Sequence, residues 1–186
     1  MTGPVFNPKK LRLTRAEDFG QLYDHFAPRL YRHALIRTNS AEEAEDITAK
    51  TFLKAWEYVR ARNRIKNIRA FLYRITDNLI IDWYRTRNPM LALSHEHDEG
   101  MGVDLVDPHD TEAAIIDSFD TELIKRAMRD LPFQDQTVLM LRFVDDLEIG
   151  EIAHVAEKTK GAVTVAIHRA LKRLMRTCRD QYGTLA

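Results

Sequence analysis

Residues 67–83 read Asn67-Ile68-Arg69-Ala70-Phe71-Leu72-Tyr73-Arg74-Ile75-Thr76-Asp77-Asn78-Leu79-Ile80-Ile81-Asp82-Trp83. Ile68, Leu72, Ile75, Leu79 and Trp83 recur every three or four positions, the spacing of one face of an α-helix. Asn88-Pro89 ends the pattern, because the residue before a proline is pushed out of the helical region. Towards the N-terminus, Ala44, Ile47, Phe52, Ala55, Trp56 and Val59 trace a second helical line, and Phe19, Leu22, Phe26, Leu30 and Ala34 a third. Thr14 with Glu17 and Ser40 with Glu43 match the capping box, in which hydroxyl and carboxylate satisfy free N–H groups at a helix start. No alternating β-branched run of strand length interrupts these lines. The fold class is all-α, and residues 14–89 form a first helical domain.

Beyond Pro89 the periodicity lapses until about Ser118. Residues 1–90 hold 17 basic and 10 acidic side chains, residues 91–123 hold none and 10, and residues 124–186 hold 11 and 8. The net charge of zero therefore averages two basic modules and an acidic linker, residues 90–117. Single-sign blocks are solvated connectors or surfaces aimed at a charged partner. His95 and His97 sit among carboxylates here, but helical ligand pairs stand four apart and nothing completes a coordination shell, so no metal is expected.

Helical spacing resumes over residues 118–182. Leu123, Ile124, Ala127, Met128 and Leu131 share one face, and Val138, Leu139 and Leu141 another. A short helix over Glu148–Ala156, a turn at Glu157-Lys158-Thr159 and a long helix from Lys160 to about Arg179 follow. In the long helix Val163, Ile167, Ala170 and Leu174 face a core, while Lys160, Thr164, His168, Lys172 and Arg176 face outward. Two helices joined by so short a turn, the second with a basic outer face, match the helix-turn-helix pattern of DNA-binding domains, a pattern that other helical hairpins share.

Composition excludes most other functions. A chain of 186 residues, 45% hydrophobic and 30% charged, is a soluble globular protein of one or two small domains. No apolar run nears the roughly 20 residues of a membrane helix, and residues 1–15 lack a secretory apolar segment. One cysteine, Cys178, rules out a disulfide framework, suits the cytoplasm and reads as inert packing. Seven scattered glycines form no phosphate cradle. The expectation is a cytoplasmic non-enzyme without a cofactor.

Three stretches carry a family resemblance. Residues 44–56, Ala-Glu-Asp-Ile-Thr-Ala-Lys-Thr-Phe-Leu-Lys-Ala-Trp, resemble the polymerase-binding helix of the bacterial extracytoplasmic-function (ECF, group 4) sigma factors. Residues 70–85 resemble the next helix of that family, which engages and helps melt the minus-ten promoter element. Leu131-Pro132, Asp146 to Ala153, Gly161-Ala162-Val163 and His168 to Leu174 resemble its second domain, which reads the minus-thirty-five element. The sequence differs from the usual pattern at Ala49-Lys50, where Gln-Glu is common, at Glu157, where glycine is usual, and at Thr164-Val165-Ala166, where Lys-Ser-Arg is common.

The resemblance implies roles for named residues. Glu45, Asp46 and Lys50 would contact core RNA polymerase, with Phe52 or Trp56 anchoring the helix. Arg60, Arg62, Arg64, Lys66 and Arg69 would border a loop that receives a flipped base, with Asn78, Trp83, Arg85 and Arg87 on the melted strand. Trp83, Phe71 and Tyr73 can equally be packing residues, and the basic run a solvated face. Lys160, Thr164, Val165 and His168 would meet the upstream element, with Arg169, Lys172 and Arg173 on phosphates. The implied partners are core polymerase, promoter DNA and an anti-sigma factor, and the linker would thread a basic channel of the polymerase. The alternatives are a sigma-like decoy that captures an anti-sigma factor without reading promoters, and a stand-alone helix-turn-helix repressor.

Overall fold

The computed structural model describes residue 13, residues 15–87 and residues 121–182. The acidic stretch, its two histidines and Thr14 lie outside the described residues. Among the described residues there is no strand, and the chain divides into two compact units. Among them, too, no helix is long and apolar enough to cross a membrane.

The first unit packs three helices, α1 (Ala16–Thr38), α2 (Ala41–Arg60) and α3 (Ile68–Arg87). α1 ends where Asn39 takes a left-handed conformation (φ 51°) and its N–H returns to Leu35 O. Ser40 Oγ then accepts from the N–H of Glu43 and starts α2. Asn67 Oδ1 does the same for α3, accepting from Ala70 N–H at 3.0 Å. Leu22, Leu30, Leu72 and Ile80 are fully buried, each such side chain contributing about 1.5–3 kcal/mol.

α3 is turned relative to its expected face. Ile75, Leu79 and Trp83 are only half-buried, whereas Tyr73, Thr76, Asp77 and Ile80 face the core. The polar members are matched from other helices. Thr76 Oγ1 lies 3.1 Å from Thr51 Oγ1, and Asp77 Oδ1 lies 3.1 Å from His33 Nε2. The His33 ring meets the buried Tyr73 ring edge-on, 5.5 Å between centroids.

The second unit contains α4 (Thr121–Arg129), α5 (Phe133–Leu139), a π-helical turn over Met140–Val144, α6 (Ile149–Val155) and α7 (Lys160–Tyr182). The helix carrying Val138, Leu139 and Leu141 widens after Leu139, so that Asp145 N–H reaches back to Met140 O. α6 begins with a box built from carboxylates alone, Glu148 and Glu151 each accepting the other's backbone N–H. Val163, Ile167, Ala170 and Leu174 of α7 are buried as their spacing predicts.

The α6–α7 turn closes with Lys158 N–H on Ala153 O, the Schellman arrangement that wants a left-handed residue just past the helix. Glu157 occupies that place at φ 55°. A side chain there costs about 1 kcal/mol or more, only part of which glycine's extra chain entropy would offset. Glu157→Gly should therefore raise the stability of the second unit by about 0.5–1 kcal/mol, read as a higher urea midpoint. A lower midpoint would show that contacts of the Glu157 side chain outweigh the strain.

Candidate polymerase and nucleic-acid interfaces

α2 separates its aromatic residues from its charges. Phe52 is 4% exposed, packed against Phe19 at 6.2 Å and Tyr23 at 4.6 Å between ring centroids. Trp56 is half-buried against Phe19 at 4.8 Å. Phe52 is therefore a core residue and not a free anchor; its removal would unfold the unit rather than test docking. The outer stripe of α2 instead carries Asp46, Lys50, Leu53 and Glu57, with Glu45 beside it, all exposed. Leu53, at 57%, is the most exposed large apolar side chain among the described residues. Sequence reading missed it because Phe52 and Trp56 dominate the motif by size. Its signal was a leucine lying one residue off the apolar line.

Residues 61–67 join α2 to α3. Ala61 N–H returns to Glu57 O, Arg62 N–H returns to Val59 O, and Arg62 lies in the left-handed region at φ 60°. Asn63 Nδ2 donates to Tyr58 O at 3.2 Å, folding the loop back over the end of α2. Arg60, Arg62, Arg64 and Lys66 project into solvent, while Arg69 is half-buried. Two rings border this cationic loop: Tyr58, 39% exposed, and Phe71, with centroids 4.7 Å apart. A cationic loop beside an exposed aromatic face can hold an unpaired nucleotide by phosphate contact and stacking. Tyr58 lay on no apolar line, so nothing in the sequence singled it out.

The basic character extends onto α1. Burial, then Arg29 and Arg69, push the His25 imidazole below its ordinary value, so it is neutral near pH 7 and its Nε2 accepts from the Arg29 guanidinium. Lowering the pH through the ordinary histidine range charges His25 more readily in the unfolded chain. Its contribution to stability is thus present at neutral pH and lost as the solution becomes acidic.

At the far end of α3 the candidates diverge. Asn78 is exposed. Trp83 is half-buried, stacked edge-on against Tyr84 and covered by the Arg87 guanidinium, 4.7 Å from the ring centre. Arg87 also pairs with Glu43, tying α3 to α2, and Arg85 sits 3.9 Å from Asp82. Tyr73, fully buried, is packing only. Arg87 thus links α3 to α2, Trp83 and Arg85 contact residues of their own helix, and Asn78 is exposed.

In the second unit Lys160 and Lys172 are exposed on α7, and Thr164, Val165, His168 and Arg169 are half-buried along the same helix. Thr164 Oγ1 donates to Lys160 O at 3.0 Å. Gly150 brings α6 close to Lys160, since a Cβ there would stand 3.3 Å from Lys160 Cε. Arg173 is engaged within the unit, its guanidinium 2.7 Å from the buried carboxylate of Asp135. Of the three expected phosphate contacts, Arg173 is thus committed to Asp135, Arg169 is half-buried and Lys172 is exposed on α7. Cys178 is buried, and burial raises its thiol above the ordinary value, which favours the unreactive form.

A helix-turn-helix unit, and a separate three-helix unit with a charged outer helix and a basic, aromatic-bordered loop, define a class of transcription protein. The Sigma-70 region 2 family matches residues 22–89 and the Sigma-70 region 4 family matches residues 121–174; the chain belongs to the sigma-70 family of RNA polymerase sigma factors. Its relatives include ECF sigma factors. It is 29% identical over 170 residues to the ECF RNA polymerase sigma factor BldN of Streptomyces coelicolor, a match spanning 89% of this chain and 62% of that one. It is 27% identical over 180 residues to the ECF RNA polymerase sigma factor SigW of Bacillus subtilis, spanning 92% and 95%. In fold it is similar to the sigma factor RpoE from Bartonella quintana, solved in complex with the anti-sigma factor NepR, with TM-score 0.64, 22% identity and coverage of 89% and 99%. CnrH, solved with the cytosolic domain of CnrY, gives TM-score 0.65 at 21% identity, covering 90% and 91%.

Proposed function

We propose that this chain is a group 4 ECF sigma factor that docks on core RNA polymerase through the outer stripe of α2 and directs it to promoters, without catalysis of its own and in the cytoplasm. The observation that carries this reading is the exposed, charged face of α2 lying on the same unit as the cationic, aromatic-bordered loop 61–67. One surface would hold the polymerase and the other an unpaired base. Residues 14–89, 90–117 and 118–182 then serve as docking and opening domain, acidic linker and upstream-element reader. An anti-sigma factor is the further partner, as in the structure of RpoE with NepR. Adding the purified chain to core polymerase and sequencing the transcripts tests the whole: transcripts should start at a restricted promoter set that core alone does not use.

The departures at Thr164-Val165-Ala166 keep the decoy reading in play, and α7 separates the two. Replacing Thr164 and Val165 should change which upstream sequence is preferred, by about 1–3 kcal/mol per affected base pair. Lys172→Ala should weaken all promoters alike and flatten the salt dependence, since a phosphate contact carries no sequence information. If all three substitutions leave promoter choice and affinity untouched, the decoy reading takes over.

A further inference from the structure

The docking stripe contains its own counter-charge. Lys50 Nζ lies 2.6 Å from Asp46 Oδ2, one helical turn apart, and both side chains are about half exposed. Acid first and base four residues later is the favoured order for such a pair on a helix. Continuing at helical spacing, Leu53 and Glu57 complete a stripe that runs negative, positive, apolar, negative. Glu42, Glu45, Asp46 and Glu57 are the carboxylates of this surface, all exposed, and Lys54 lies beside Leu53 as a second cation. With Lys50, the Asp46 carboxylate is already neutralised within the chain.

We propose that Lys50 sets the affinity of this chain for core polymerase by masking Asp46, and so lowers its rank among chains competing for a limited polymerase pool. The inference rests on the reading of α2 as the docking helix. An incoming cation of the polymerase must displace the Lys50 ammonium from Asp46 and tolerate it as a neighbour. Both effects weaken binding, and both vanish when Lys50 loses its charge. Exposed pairs of this kind are worth a few tenths to about 1 kcal/mol, which corresponds to a change in Kd of about two- to fivefold. The effect is large enough to reorder a competition, yet small enough to leave the complex able to form.

The experiment titrates the labelled full chain with core RNA polymerase, comparing wild type, Lys50→Gln, Asp46→Asn and the double variant at low and high salt. Lys50→Gln should tighten binding about two- to fivefold, the gain shrinking at high salt. Asp46→Asn should weaken binding, and in that background Lys50→Gln should bring no gain. Unchanged or weaker binding by Lys50→Gln overturns the inference, Lys50 then being a bystander or a contact. A gain that persists in the Asp46→Asn background also overturns it, because the lysine would act through overall charge and not through Asp46. Unchanged binding by Asp46→Asn alone instead brings down the docking reading of α2, a distinct failure. Both positions are exposed, and matching thermal midpoints would show that the fold is not what changes.

Discussion

Asp77→Ala is expected to destabilise the first unit markedly while leaving the second intact. Asp77 is 5% exposed and His33 is fully buried, with 3.1 Å between Oδ1 and Nε2. Removing the Asp77 carboxylate takes a hydrogen-bond partner from the buried His33 imidazole, a loss of about 1–3 kcal/mol. Whole domains are stable by only about 5–15 kcal/mol, and a three-helix unit stands near the lower end. The neighbouring contacts amplify the loss. His33 packs edge-on against Tyr73, one turn from the Thr51–Thr76 contact, so a displaced imidazole disturbs both rows that bind α3 to α1 and α2. Hydrogen exchange on the full chain gives the measurement: amides of α1–α3 should lose protection while those of α6 and α7 keep theirs. Asp77→Asn, which keeps an acceptor, should cost much less, and replacing both partners by apolar residues should recover part of the loss. Retained protection across α1–α3 in Asp77→Ala would show that the pair does not hold the bundle.

That pair also marks what the sequence could and could not disclose. Helix existence and type were readable because apolar spacing and caps act locally: the lines of α1, α2 and α7 are buried except at Phe19 and Trp56, which are half-buried, and Ser40 starts α2. The rotation of α3 was not readable. Beyond Leu72, which is buried as its spacing predicts, its sequence offers two faces, one of Ile75, Leu79 and Trp83 and one of Tyr73, Thr76, Asp77 and Ile80, and the first is more apolar. The second wins because Thr51 and His33, 25 and 44 residues away in the chain, satisfy its polar groups. A helix read alone cannot show such partners. The same limit applied at the candidate sites. Phe52 looked like an anchor until Phe19 and Tyr23 claimed it. Arg173 looked like a phosphate ligand until Asp135, 38 residues earlier, was found beneath it. Tyr58 earned no notice at all, being an aromatic residue off the apolar line whose use depends on Phe71 and on a loop that folds back.

Tyr58→Ala is expected to slow promoter opening by about 5- to 150-fold without altering affinity for core polymerase. The figure follows from base–aromatic stacking, worth about 1–3 kcal/mol per base. Tyr58 is the better probe of the platform because 39% of it is exposed, whereas Phe71 is half-buried and its truncation would also open a void. Tyr58→Phe keeps the ring face and should open promoters nearly as wild type does; a requirement for the hydroxyl would show a polar contact in place of stacking. Permanganate reactivity of thymines in the minus-ten region, measured with polymerase saturated by each variant, reports opening apart from docking. Salt separates the two components of the site. Arg62 and Arg64 act on phosphates through charge, so the penalty for replacing them should fade as salt rises. Stacking is not screened, so the Tyr58→Ala penalty should persist at the highest salt at which the complex still forms. Equal opening by Tyr58→Ala and wild type would remove the aromatic platform from the mechanism and leave the loop as a purely electrostatic guide for the strand.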